Sequence, residues 1–329
     1  MLQLFRTNQL VVHLLVLVYL AILWLPGYLI QPSGGDQTGG FVFAWLKNLF
    51  DGESAWSWSL TVALILVWFQ GLVINYLMNE YRIGAQATLF PGLLIAWFYS
   101  SSPEFYGLSP QLVANTFVVL AIHQIYKVYR QGESALPIFN AGFLIGLASL
   151  SSYAYLILAV WGWVAIGILR SRKLRETLQY SIGLVLPWGF LYLLQVMLTP
   201  VGSFAQLAGV NWGWPPLLIG PDGYRIIAQG IVLSVIILLV VSQYAQVTLG
   251  ETMQVQKNIQ ILYWAMLFGL AALGFIHRIS FSHMLLIAVP IGTLLGLWFV
   301  RIRPALAEMI HFLLFVAVLV YQYFPLVYL

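Results

Sequence analysis

Cysteine is absent from the chain, which excludes disulfides, thiolate metal sites and cysteine nucleophiles together. Charge is nearly absent too. Asp, Glu, Lys and Arg make up 7% of the 329 residues, against roughly a quarter of an ordinary globular domain. So few ionised groups cannot cover a surface that faces water, whereas helices whose solvent is hydrocarbon do without them. No Walker loop, dinucleotide fingerprint or Gly-x-Ser-x-Gly elbow occurs, so the usual signatures of nucleotide and hydrolase chemistry are missing. The five histidines show neither H-x-x-x-H nor H-E-x-x-H spacing. No metal site and no cofactor is expected from them.

What the chain has instead is apolar length. Apolar residues reach 61%, and about 20 in succession suffice to cross about 30 Å of hydrocarbon. Eleven such runs occur, at 10–30, 58–78, 84–100, 110–128, 136–151, 153–170, 178–198, 226–247, 259–277, 283–301 and 305–327. The third and fifth are short. Only Ser151-Ser152 divides the fifth from the sixth, which is compatible with a tight helical hairpin or with a re-entrant pair. The first run is too long for a signal-peptide core and ends without a small-x-small cleavage site, so it reads as a retained span. The expectation is an all-α, polytopic transmembrane bundle of about eleven spans, a single domain over 1–329.

Basic residues orient the bundle. With the N-terminus in the cytoplasm, Arg6, Arg82, Lys127, Arg130, Arg170, Arg172, Lys173, Arg175, Lys257, Arg301 and Arg303 fall inside. Lys47, Arg225 and Arg278 fall outside, a division of 11 against 3. A miscounted span would reverse every later loop and spoil that bias. An odd number of crossings then puts the C-terminus in the periplasm, and a multi-pass protein of a bacterial inner membrane is expected. Net charge is +4, but the cations sit in short loops and form no patch, which reads as topology and not as nucleic-acid binding.

Two external loops stand out. The first, 31–57, opens with Gly34-Gly35-Asp36-Gln37-Thr38-Gly39-Gly40 and continues into an aromatic stretch, 41–50, too short to span. That stretch is expected to lie as a helix in the interface. The second, 199–225, carries Trp212, Trp214, Pro215, Pro216 and Asp222. Polar side chains at mid-run are amides and hydroxyls, the amides Gln70, Asn75, Asn115, Asn140, Gln195, Gln229 and Gln243 among them, with no Asp, Glu, Lys or Arg. Such groups most often tie helices together, and their dominance argues against a proton-coupled pump, which needs a titratable relay.

Asp36, just past the first span, has the position of a general base for a substrate presented at the membrane surface, or of a plain solvated loop aspartate. The segment His277-Arg278-Ile-Ser280-Phe-Ser-His283 is expected on the same face. Arginine forks suit phosphate, so Arg278 and Arg225, assisted by His277 and His283, are candidate contacts for a lipid phosphate. The alternative is ordinary capping and headgroup contact.

At Asn75-Tyr-Leu-Met-Asn-Glu-Tyr81, at Phe139-Asn-Ala-Gly-Phe-Leu-Ile-Gly-Leu-Ala-Ser149, and on through Leu169-Arg-Ser-Arg-Lys-Leu-Arg-Glu176 with Gly183 and Pro187, the chain resembles an uncharacterised polytopic inner-membrane family of Bacteroidetes. The likeness covers roughly residues 1–200. It implies the fold and no activity, and a carotene-oxygenase label borne by some members conflicts with the expected topology, which puts His13, His123 and His311 toward the cytoplasmic ends of their spans and His277 and His283 outside. A fainter, architectural similarity is to multi-span polyprenyl-phosphate-dependent glycosyltransferases, whose first external loop carries an acidic residue followed by interfacial helices. Asp36 and 41–50 look like that arrangement, although the usual acidic signature and a large external domain are missing. Two functions stay open: a non-catalytic membrane component, either part of cell-envelope biogenesis with lipids and envelope proteins as partners or a carrier for a neutral or lipidic solute, and a transferase acting on a polyprenyl-phosphate-linked substrate at the periplasmic face.

Overall fold

In a computed structural model the described residues are 5, 10–29, 39–49, 55–84, 86–129, 134–171, 173–198, 221–276 and 280–323. They form thirteen α-helices: α1 (Leu10–Leu29), α2 (Phe41–Asn48), α3 (Ala55–Glu80), α4 (Phe90–Tyr99), α5 (Pro110–Lys127), α6 (Ala135–Ser151), α7 (Leu158–Leu169), α8 (Leu174–Leu198), α9 (Pro221–Ser242), α10 (Tyr244–Thr248), α11 (Met253–Leu273), α12 (Ala288–Arg301) and α13 (Pro304–Tyr323). Short 3-10 turns precede α7 (Tyr153–Ile157) and α12 (Phe281–Ile287), and another, Pro103–Phe105, lies between α4 and α5. Each of the eleven apolar runs contains a helix. Among the described residues, five stretches are long and apolar enough to cross a membrane: Val11–Leu29, Ala55–Glu80, Leu174–Met197, Ser282–Arg301 and Pro304–Tyr323. The chain is a helical membrane protein.

Hydrogen bonds between elements sort the connections into two opposite ends. At one end Trp56 Nε1 donates to Gly27 O (2.8 Å), Tyr106 OH to Leu23 O (2.7 Å), Gly40 N to Ser151 O (2.9 Å) and Tyr323 OH to Ile22 O (2.8 Å). At the other, Leu89 N donates to Phe5 O (2.9 Å), Lys257 Nζ to Leu169 O (3.4 Å), and Arg301 pairs with Glu251. Successive long elements therefore alternate in direction. Eight of the ten basic residues at described positions (Arg82, Lys127, Arg170, Lys173, Arg175, Lys257, Arg301 and Arg303) lie at the second, basic end, while Lys47 and Arg225 belong to the first.

The two doubtful runs have physical explanations. The run at 84–100 yields only the ten-residue α4, because Pro91 starts the helix at its first turn and the backbone before it is not helical. All ten of its residues are buried, so its shortness is tolerated because protein surrounds it. The fifth and sixth runs form a hairpin turning at Ser152. Arg170 at its end bonds Ser134 at its start, while Tyr155 OH at the turn donates to Gln111 O, 3.1 Å, in the first turn of α5. Tyr126 in the last turn of α5 bonds Asn258 O (3.0 Å), beside the Lys257 that holds Leu169. The hairpin thus runs the full depth of α5.

Glycine sets the closest helix contacts. A Cβ on Gly142 would stand 2.2 Å from Tyr180 O, and one on Gly183 2.3 Å from Phe139 O, so α6 and α8 pack backbone against backbone. Gly292 and Gly296 of α12 meet Ile95 and Pro91 of α4 in the same way. Without a hydrophobic drive between helices in lipid, close packing of small residues supplies the attraction.

Candidate functional site

After α1 the described residues resume at Gly39, and α2 follows at once. Phe43 is buried with Leu108 and Val113 at the start of α5, and Phe41 and Val42 pack toward Leu150 and Leu191 of α6 and α8. Trp45 and Leu49 face outward, 58% and 56% exposed. The segment 41–48 is thus a short helix with one face on the bundle and one face open, as its aromatic, weakly charged composition suggests.

Beneath this end lies a buried polar network. Asn115 donates from Nδ2 to Tyr99 OH (2.7 Å) and to Leu285 O (2.7 Å), and its Oδ1 accepts from Tyr155 OH (2.8 Å). Tyr99 OH donates to Gln70 Oε1 (2.9 Å), and Gln70 Nε2 donates to Leu112 O (2.9 Å) and Thr116 Oγ1 (2.8 Å). Five elements meet here: α3, α4, α5 and the two 3-10 turns before α7 and α12. Asn75 works separately, accepting from Gly92 N at 2.8 Å where α3 and α4 touch. The network is made of amides and phenols, so it can hold helices in register and can accept or donate hydrogen bonds. It offers no general base. One acceptor within it, Gln111 Oε1, is buried without a hydrogen-bond partner.

Of the expected site residues, Asp36, His277 and Arg278 lie outside the described residues, as does the side chain of Arg225. The separation of Asp36 from Arg278 falls there too. Their described chain neighbours, Gly39 and Ser280, belong to the same end of the bundle. His283 is described. Its Nδ1 accepts from Ser280 N (3.1 Å) and lies 2.8 Å from Ser280 Oγ, which completes a capping box on the 3-10 turn. One ring nitrogen of His283 is therefore committed to a cap, the ordinary role weighed above. Gln70, Asn75 and Asn115 take the helix-tying role read for intramembrane amides. Tyr99 and Tyr155 were missed. The signal was present in the sequence, because a buried tyrosine hydroxyl needs a partner and an intramembrane amide is one.

Two of the cavities lined by described residues lie at the basic end. One, about 220 Å³, is lined by Trp163, Ile166, Glu176 and Thr177, with Glu176 paired to Arg170 at 3.1 Å. A wider one, about 610 Å³, lies between α1 and α3 and is lined by His13, Leu72, Tyr76, Asn79, Glu80 and Arg82. No protein-family model matches the chain, and no curated protein and no solved structure is significantly similar to it.

Proposed function

We propose that the chain is a multi-pass protein of a bacterial inner membrane, crossing it about eleven times with a cytoplasmic N-terminus and a periplasmic C-terminus. We assign it to the polytopic Bacteroidetes family it resembles, as a non-catalytic component of cell-envelope biogenesis with lipids and envelope proteins as its partners. The observation that carries the non-catalytic reading is the Gln70–Tyr99–Asn115–Tyr155 network, whose donors and acceptors are almost wholly spent on one another and on backbone. Polar groups spent in this way contribute adhesion between helices and leave none poised for proton transfer. The alternation of helix direction and the eight-to-two distribution of described basic residues support the orientation.

Because the chain has no cysteine, each introduced cysteine is a unique label. Lys47→Cys and Glu104→Cys are expected to react with a membrane-impermeant maleimide in intact spheroplasts, and Lys127→Cys and Arg303→Cys only after permeabilisation. Labelling of all four in intact spheroplasts sinks the orientation. For the role, a deletion strain is complemented with Asp36→Asn or Arg278→Ala and scored for envelope integrity. Full complementation is expected. Loss of function at normal membrane abundance overturns the non-catalytic reading.

That second outcome favours the other reading, which one observation keeps in play: α2 caps the outer ends of α5 and α6 directly after the loop that carries Asp36. On this reading Asp36 is the base of a polyprenyl-phosphate-dependent group transferase, with Arg225, Arg278, His277 and His283 around the lipid phosphate. It requires turnover of a labelled polyprenyl-phosphate-linked sugar by purified protein that Asp36→Asn abolishes.

A further inference from the structure

The end of α3 is built in an unusual way. Arg82 has φ 51°, the one non-glycine residue with positive φ among those described. Arg82 N donates to Asn79 O (3.2 Å) and Ile83 N to Met78 O (2.7 Å), the bond pair of a Schellman cap, with Met78 and Ile83 both buried as its apolar partners. The left-handed position of that cap ordinarily takes glycine, because a Cβ is strained there. Here the position carries the longest cationic side chain, and that side chain lines the cavity of about 610 Å³. Strain kept at a cavity wall points to use of the side chain.

The rest of the wall specifies the ligand. Glu80 lines the same cavity two residues away. The carboxylate and the carbonyl end of α3 both favour a cation, while the Arg82 fork and the Asn79 amide offer donors to an anion. Tyr76 shows an aromatic face to a cation and is braced by His123, stacked at 5.9 Å and 9°. Lys127 and Glu80 both act electrostatically on His123, so the facing charges include one more cation. Trp68 Nε1, bonded to His13 O at 2.9 Å, holds α1 against α3 one turn deeper. Ile65, Phe69 and Tyr76 form an exposed stripe on α3 that leads up to the cavity, a track for an acyl chain.

We propose that this cavity binds a phospholipid whose headgroup joins a phosphate to a primary ammonium, an ethanolamine phospholipid of the leaflet at the basic end, with Arg82 on the phosphate and Glu80 and Tyr76 on the ammonium. The assignment rests on the membrane-crossing part of the function proposed above and on neither its orientation nor its non-catalytic role. The test uses the full chain in nanodiscs of equal ethanolamine and glycerol phospholipid, followed by detergent extraction and measurement of the lipid retained by native mass spectrometry. Wild-type protein retains the ethanolamine lipid in preference. Arg82→Gly, which suits the cap, keeps the thermal stability and lowers that retention by about tenfold, the effect of a lost charge-assisted bond. Glu80→Gln moves the preference to the glycerol lipid. Equal retention of both lipids by wild type, or unchanged retention by Arg82→Gly, overturns the proposal. So does displacement of the lipid by soluble phosphoethanolamine at matching concentration, which would make the cavity a site for a water-soluble phosphate ester.

Discussion

Gly183 and Gly189 lie in the same helix, α8, and the structure predicts opposite consequences for the same substitution. A Cβ on Gly183 would stand 2.3 Å from Phe139 O and 3.1 Å from Phe143 N, both backbone atoms of α6. Contacts of carbon with a carbonyl oxygen settle at about 3.3–3.6 Å, so Gly183→Ala forces the two helices apart by about 1 Å. No flexible side chain is there to yield. Overpacking of this kind typically costs about 1–3 kcal/mol. Separation of α6 and α8 also weakens the mirrored contact of Gly142 with Tyr180 O, which favours the upper part of that range. Gly189 has nothing within 4 Å of its Cβ position, and Gly189→Ala gains about 0.5–1 kcal/mol from helix propensity. The two variants should therefore differ by about 2–4 kcal/mol, with wild type between them. Thermal unfolding in a single detergent, followed by loss of the monodisperse chromatographic peak, measures the order. If Gly183→Ala proves at least as stable as Gly189→Ala, the backbone contact between α6 and α8 is wrong.

Three further outcomes follow from the same packing. Asn115→Leu removes three hydrogen bonds among Tyr99, Tyr155 and Leu285 and should destabilise by about 2 kcal/mol, while Tyr155→Phe should lose about 1 kcal/mol, at roughly 0.6 kcal/mol per intramembrane bond with an upper value near 1.7; equal and negligible losses in detergent unfolding would refute the network. Tyr106→Phe deletes the hydroxyl that ties the turn after α4 to Leu23 O and should cost about 1 kcal/mol in the same assay. Val185, 61% exposed at the middle of α8, faces lipid on this reading, so Val185→Arg should raise the insertion free energy of that segment by about 3 kcal/mol, read as the inserted fraction in a translocon assay; insertion as efficient as wild type would show that this face is not presented to hydrocarbon.

How much of this was legible beforehand depends on how local each physical cause is. The requirement for apolar length acts on consecutive residues, so the eleven runs could be read directly, and each holds a helix. The same local rule overran at 84–89, because length and hydropathy do not register that Pro91 starts a helix or that a ten-residue helix survives when protein covers it on every side. The short amphipathic piece at 41–48 was visible for the same reason as the spans. So was the adhesive role of Gln70, Asn75 and Asn115, since an amide in hydrocarbon must find a partner. Which partner it finds was not legible. Asn115 and Leu285 are 170 residues apart, and only the packing of α5 against the turn before α12 brings them together.

The cation at position 82 illustrates the division most clearly. That Arg82 follows a span and counts toward the positive side is readable from its neighbours along the chain. That it occupies a left-handed cap and lines a cavity with His13, Tyr76 and Glu80 follows only from how the helices pack. The physical reason is that transfer into hydrocarbon is a sum over adjacent residues, whereas a binding surface is assembled from helices whose mutual placement is set by close glycine contacts and paired polar groups distant in sequence.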